Sequence, residues 1–322
     1  MSGRVGEPMS ATNMTVGERL GAVFGARVRR DVSLAPMTTF KVGGAADWFL
    51  ESSDPDDVVW AVATARQLSL PVTILGGGSN VLVGGRGVRG LVVRMRHGSV
   101  AVVSPGVVRA DAGVSLNGLV RWTINRGLAG LAGWAGTPGT VGGAVYGNAH
   151  FQGELIGSRV VAVGLVHPDG VTRRRESAQM RFGYDTSRLQ SSGEVALWAE
   201  FTVGAADPVV LRATARESLS YRKHTQPLAA RSAGCIFQNP DPAVDPVPDG
   251  VPASAGALID RAGLKGRSVG PAKISALHGN FIVSDGTASP EQIRTLVKTC
   301  RQRVHEQFGV MLRDEIVYMG EF

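Results

Sequence analysis

A chain of 322 residues with 43% hydrophobic and 19% charged side chains has the balance of a globular protein, and its length predicts two or three structural units. The formal charge of +7 suits anionic small molecules; the basic run Arg173-Arg174-Arg175 follows a Pro168-Asp169-Gly170 turn and lacks interleaved aromatics, which sets nucleic acid aside. Two cysteines, Cys235 and Cys300, make no disulfide framework and favour a reducing compartment. With no stretch of membrane length and no apolar leader in residues 1–20, a soluble cytoplasmic protein with no membrane partner is expected, its oligomeric state left open.

In chain order, residues 1–30 read as a loosely held leader with a short helix near Val16–Phe24, and strand-rich sequence begins at Thr38. Asp54 and Pro55 open a helix that Val58, Val59, Val62, Ala65 and Leu68 continue at helical spacing. Pro71–Leu75 is a short buried strand running into Gly76-Gly77-Gly78-Ser79-Asn80, and Val81–Val83 and Leu91–Val93 are further strands. Strand, helix, strand and glycine turn form the frame of a small α/β nucleotide-binding unit. From Val100 to Val203 strands dominate, broken by a helix over Leu116–Arg126 that Ser115 caps and Gly127 ends. Val160–Val166 and Val171–Arg175 pair as a hairpin. A third unit opens at Asp207-Pro208 with a helix to about Lys223. After a proline-rich loop at 240–252 come a short helix at Ser254–Ala262, strands, a long helix over Pro290–Phe308 closed by Gly309, and a last strand over Glu315–Met319.

Glycine, at 43 residues, runs well above the usual share of about 7%. Gly85-Arg86-Gly87-Val88-Arg89-Gly90 matches the dinucleotide fingerprint, but a strand pattern follows it where a helix is required, so it reads as a hairpin connection. Two other loops suit an anion better. Gly76-Gly77-Gly78 can converge successive N–H groups, with Ser79 and Asn80 adding side-chain bonds. In Ala135–Ala144, Gly136, Gly139 and Gly142 leave a bare surface for a flat or extended ligand. Together they point to a cofactor carrying a diphosphate.

Those two loops, with Thr39–Asp47, resemble the FAD-binding half of the UDP-N-acetylenolpyruvoylglucosamine reductases. Ser232–Pro240 resembles that family's proton-donor segment, and Ala262–Gly266, His278–Val283 and Arg313–Ile316 match further motifs in order, over about residues 36 to 320. The resemblance implies an α+β architecture. Its parts are a two-lobed FAD-binding domain of the vanillyl-alcohol-oxidase type at 31–206 (lobes about 31–97 and 98–206) and a smaller substrate-binding domain at 207–322. The short 145–205 stretch is similar to the form without an extra substrate-covering insertion. The implied cofactors are non-covalent FAD, held by Gly76, Gly77, Gly78, Ser79, Asn80, Gly136, Pro138, Gly139, Thr140, Gly142 and Gly143, and NADPH as reductant.

The implied reaction delivers hydride to the terminal carbon of an enolpyruvyl group and a proton to its neighbour, and the enolate-like intermediate calls for a cation or donor at the substrate carboxylate. Cys235 aligns with the proton donor, more often serine; a thiol, with a reference pKa of about 8.5, is mostly protonated near neutrality and is the stronger acid. Cys300 shares a helical face with Ile293, Val297 and Val304 and reads as core packing. Glu315 aligns with the catalytic glutamate. The third role departs from the family, which has arginine after the tyrosine where this chain has Tyr184-Asp185; Arg188, three residues on, is expected to return to the site. Tyr184, Lys223, Gln226, Asn239 and His278 match positions near the UDP-sugar, though Lys223 also reads as the solvated end of a helix and a lone histidine as structural. Histidine spacing gives no metal site. Two other readings stay open: a same-fold oxidase, and a non-catalytic homologue marked by Asp185.

Overall fold

The computed structural model describes residues 14–322; the first thirteen residues of the expected leader lie outside the described residues. Thr15 caps helix α1 (Val16–Phe24) in a reciprocal box with Glu18, whose carboxylate accepts from the Thr15 amide at 2.7 Å. Leu20 and Phe24 are fully buried in the largest apolar core, and strand β1 (Val28–Ser33) follows at once. This corrects the reading of a loose leader up to residue 30: the described part is docked by the apolar face of α1, and strands begin at Val28 rather than Thr38.

The first lobe continues with β2 (Ala45–Ser52), α2 (Pro55–Gln67), β3 (Val72–Leu75), β4 (Val81–Val83) and β5 (Val88–Met95). Its sheet runs β1-β2-β5-β3, with β2 and β3 both parallel to β5. The Asp54 side chain caps α2, as its sequence requires. The Gly85–Gly90 segment leads into a strand, as read, but it makes no hairpin. β5 lies inside the first sheet, whereas β4 pairs in parallel with the last strand of the chain, β18 (Val317–Met319).

The second lobe holds β6 (Val100–Ser104), β7 (Val107–Asp111), α3 (Leu116–Asn125), β8 (Leu128–Ala129), α4 (Val141–Tyr146), β9 (His150–Phe151), β10 (Glu154–Leu155), β11 (Val160–Val166), β12 (Thr172–Glu176), α5 (Leu189–Ser192), β13 (Val195–Thr202) and β14 (Gly204–Ala205). Five strands form an antiparallel sheet in the order β12-β11-β13-β7-β6, with the expected hairpin at β11/β12. Helix α4 gave no sequence signal, because Gly142 and Gly143 are poor helix formers. Thr140 caps it, and Val141, Ala144 and Val145 bury its inner face.

The last part comprises α6 (Pro208–Thr225), α7 (Ala255–Arg261), β15 (Ser268–Val269), β16 (Ala272–Ile274), β17 (Ile282–Ser284), α8 (Pro290–Phe308) and β18. Leu211 of α6 joins the core of the first two lobes. Helix α8 buries Ile293, Leu296, Val297, Cys300 and Val304 in a second core, which Phe40, Val42 and Leu82 of the first lobe also enter. Cys300 is a packing residue there, its thiol pushed up to about 12 by burial. Through β4–β18 and these three side chains the C-terminal part is stitched to the first lobe, and the seam is where the site forms.

Candidate active site

The loop after β3 and the loop before α4 face one another. A Cβ on Gly77 would lie 2.8 Å from Gly139 Cα, one on Gly76 would lie 2.5 Å from Thr140 Oγ1, and one on Gly139 would lie 2.7 Å from Ser79 Oγ. Side chains would fill this cradle; backbone alone keeps it open, and Gly78 and Gly139 have the positive φ of 65° and 103° that favours glycine. N–H groups with the Ser79 and Thr140 hydroxyls form a donor set suited to a diphosphate. Gly136 is fixed by Asn117, whose Oδ1 accepts its amide at 2.7 Å, and Pro138 lies between Thr137 and Gly139. Gly142 packs on Ala112 and the Gly143 amide donates to Thr140 Oγ1, so these two shape α4. Asn80 does different work: its Nδ2 donates to the Glu315 carbonyl at 3.0 Å, and its own carbonyl accepts from the Val317 amide.

Glu315 therefore hangs from the glycine loop after β3. On its other side its amide donates to the Ile236 carbonyl at 2.9 Å, next to Cys235. The Cys235 segment is held in turn by Asn280, which is 2% exposed. Asn280 Oδ1 accepts from the Phe237 amide at 2.9 Å and its Nδ2 donates to the Phe237 carbonyl at 2.7 Å. Burial, then the Glu315 and Asp185 charges, push the Cys235 thiol well up, so it holds its proton. Burial and the Asp185 charge likewise push the Glu315 carboxyl well up.

Asp185 is buried, at φ 52°, in a tight Gly183–Thr186 turn tied down by Asn148 Nδ2 on the Gly183 carbonyl. Its Oδ1 lies 2.8 Å from His150 Nδ1, while Oδ2 is buried with no partner. His150, Asp185 and Glu315 bring their polar atoms within 4.8 Å of one another. Three separate segments build this acid–base cluster, so histidine spacing in the sequence could not show it.

Arg188 does not return to the site, contrary to the sequence expectation. It starts α5, and its Nε donates to the fully buried carboxylate of Glu194 at 2.6 Å. The arginine whose charge acts on Cys235 is Arg222, on the buried face of α6. Its Nη2 donates to Thr137 Oγ1 at 2.6 Å, and its guanidinium stacks 3.7 Å from the Phe151 ring. Burial pulls Arg222 down to about 10, so it stays charged at neutral pH.

Tyr184 and Asn239 meet: the Asn239 amide donates to the Tyr184 hydroxyl at 3.3 Å, and Asn239 Oδ1 accepts from the first amide of α7. Lys223 is exposed near the end of α6 and, with Gln226, lines a surface recess that continues along Pro227–Ala230. His278 stays on the C-terminal part, edge-on to Phe281 with Nδ1 accepting from the Asn280 amide; burial lowers its pKa and favours the neutral ring. Arg222, His150 and Asn280 were missed as site residues. Only Asn280 had a signal, its place beside His278 in a quoted motif.

A family model described as FAD binding domain matches residues 46–175. Cradle and domain together define a flavin-dependent oxidoreductase on an FAD-binding domain of the vanillyl-alcohol-oxidase type. A second model, the UDP-N-acetylenolpyruvoylglucosamine reductase C-terminal domain, matches residues 226–319. The reductase of that name from Synechococcus sp. (strain RCC307) is 38% identical over 299 residues, 92% of this chain and 95% of the relative. That of Desulfosudis oleivorans is 37% identical over 319 residues, 94% and 97% of the two chains. The crystal structure of the Thermus caldophilus enzyme superposes with a TM-score of 0.76 at 32% identity, covering 91% of this chain and 99% of that one. The chain belongs to the UDP-N-acetylenolpyruvoylglucosamine reductase family. Among the described residues no helix is long and apolar enough to cross a membrane.

Proposed function

We propose that this chain reduces UDP-N-acetylglucosamine enolpyruvate to UDP-N-acetylmuramate at the expense of NADPH, in the cytoplasm, supplying the peptidoglycan precursor that wall growth, cell shape and division need. The observation that carries the reading is the hydrogen-bonded seam in which Asn80 of the glycine cradle holds Glu315 and Glu315 holds the Cys235 segment. A protonated acid and a carboxyl group are thereby fixed beside the cofactor loop. FAD supplies the hydride chemistry when bound. Gly76–Asn80 and Gly136–Thr140 hold its diphosphate without a covalent link, since neither stretch offers a histidine or cysteine.

Cys235 gives its proton to the carbon next to the one that receives hydride, and Glu315 orients the carboxylate end of the substrate. Tyr184 and Asn239 bind the sugar, and Lys223 and Gln226 bind the diphosphate from the recess at the end of α6. Residues 226–319 form the substrate side of the site, with α6 on the flavin side through Arg222 and Leu211. NADPH oxidation by the purified yellow protein, with and without the enolpyruvyl substrate, tests this reading. Oxidation that depends on the substrate supports it; a flavin that NADPH reduces but the substrate never reoxidises refutes it.

A further inference from the structure

Asp185 sets a problem in charge. Where the family's motif carries a cation, this chain buries a carboxylate, and Glu315 lies beside it. An incoming substrate carboxylate would face two acids. Of the arginines nearby, Arg188 holds Glu194, and Arg222, whose charge acts on Cys235, is fixed in place by Thr137 and the Phe151 ring. Burying a carboxylate without a cation costs several kcal/mol, and the side chain hydrogen-bonded to Asp185 that is able to carry a compensating charge is His150.

We propose that His150, protonated and held at Nδ1 by Asp185, is the cation that binds the carboxylate of the substrate's enolpyruvyl group. The assignment rests on the function proposed above. The geometry favours it in three ways. The His150 ring nitrogen lies 2.8 Å from Asp185 Oδ1, so the Nδ1 proton is spoken for and Nε2–H is left to donate outward. The ring packs against Tyr184 at 4.9 Å between centroids, which sets its direction. Its side chain keeps 25% exposure against 7% for Asp185, so a ligand can meet the imidazole but not the carboxylate behind it.

The charged and titratable groups around His150 come from four segments. Asp185 and Tyr184 belong to the 183–186 turn, Glu315 to the segment before β18, and Arg222 to α6 behind Phe151. Glu154 of the paired strand β10 is turned toward Arg159, 3.8 Å away. Asp185 is thus the group hydrogen-bonded to the ring, with Tyr184 packed beside it. Asp185 is a positioning residue in this account, and His150 is the group that touches substrate.

Two ligands of the flavin-loaded protein separate this role from a structural one: UDP-N-acetylglucosamine enolpyruvate, which has the carboxylate, and UDP-N-acetylglucosamine, which lacks it. Binding is followed by flavin absorbance and by calorimetry. His150→Ala is expected to weaken the enolpyruvyl ligand about ten- to a hundredfold, the worth of one charge-assisted hydrogen bond, with the loss confined to that ligand. In the wild type its affinity falls as pH rises and the imidazolium loses its proton. The double variant His150→Ala/Asp185→Arg, which supplies the family's cation instead, regains affinity and loses this pH dependence. Equal weakening of both ligands, or the same pH dependence in His150→Ala, overturns the assignment. If the wild type binds and reduces the enolpyruvyl ligand but His150→Ala does so equally well, this inference alone fails. A wild type that never engages the ligand takes the proposed function down with it.

Discussion

Asn280→Ala isolates the joint between core and catalysis. Asn280 is 2% exposed and its amide closes a two-bond ring with the Phe237 backbone, at 2.9 and 2.7 Å. Phe237 is itself 1% exposed, so water cannot replace the lost partners. Each buried polar group deprived of its bond costs about 1–3 kcal/mol, which for the two groups places the destabilisation at about 2–6 kcal/mol. Cys235 lies two residues before Phe237, so the loosening also moves the proposed proton donor. A misplacement of about 1 Å costs on the order of a hundredfold in rate. The assay pairs urea unfolding of the flavin-loaded protein with steady-state kinetics. A fall in midpoint together with a kcat loss that exceeds any change in KM is expected. Destabilisation under about 0.5 kcal/mol with kcat intact would refute the reasoning, because the ring would then be carrying neither load.

Cys235→Ala is expected to slow substrate reduction about 10²–10⁴-fold while NADPH still reduces the flavin, and Cys235→Ser to restore much of it; stopped-flow of the two half-reactions checks this. Gly77→Ala places a methyl 2.8 Å from Gly139 Cα and is expected to purify with little or no flavin, read from the ratio of visible to protein absorbance. Arg188→Ala is expected to lower stability by up to about 3 kcal/mol with kcat largely kept, since buried Glu194 loses one of its two cations and Arg175 remains. Arg27→Ala tests a pH linkage. Although burial works against it, hydrogen bonds from Arg27 and Ser52 hold the Asp57 carboxyl below its ordinary value. A depressed pKa contributes stability that is present above the unfolded value of about 3.9 and is lost as pH falls through the folded one. The difference in melting temperature between wild type and variant should therefore be full near neutrality and shrink in acid.

Local chemistry with a fixed spacing was legible. The caps read at Asp54, Ser115 and Asp207 start helices in the structure, and Gly309 closes α8 with a φ of 74°. The two glycine loops could be found, but not that they face each other, because their contact spans about sixty residues of chain. Helix α4 was hidden by its glycines, whose propensity the tertiary burial of Val141 and Val145 overrides. The leader was misread because two buried side chains, Leu20 and Phe24, decide its docking and leave little pattern. Arg188 was chosen by nearness in sequence to Asp185. Its partner, Glu194, is six residues away with a fully buried carboxylate, and such a charge claims the nearest cation. Arg222 and His150 reach the site from α6 and β9, and no motif at 182–188 refers to either.

The proposed chemistry needs Cys235 and Glu315 to act as a unit beside the glycine cradle. Its most direct test is a single turnover without oxygen: the flavin is reduced beforehand in deuterium oxide and mixed with UDP-N-acetylglucosamine enolpyruvate. The expected result is reoxidation of the flavin and UDP-N-acetylmuramate carrying deuterium at the carbon next to the one that receives hydride, with both slowed about 10²–10⁴-fold in Cys235→Ala. A reduced flavin that the substrate leaves reduced, or unchanged turnover in Cys235→Ala, would contradict it.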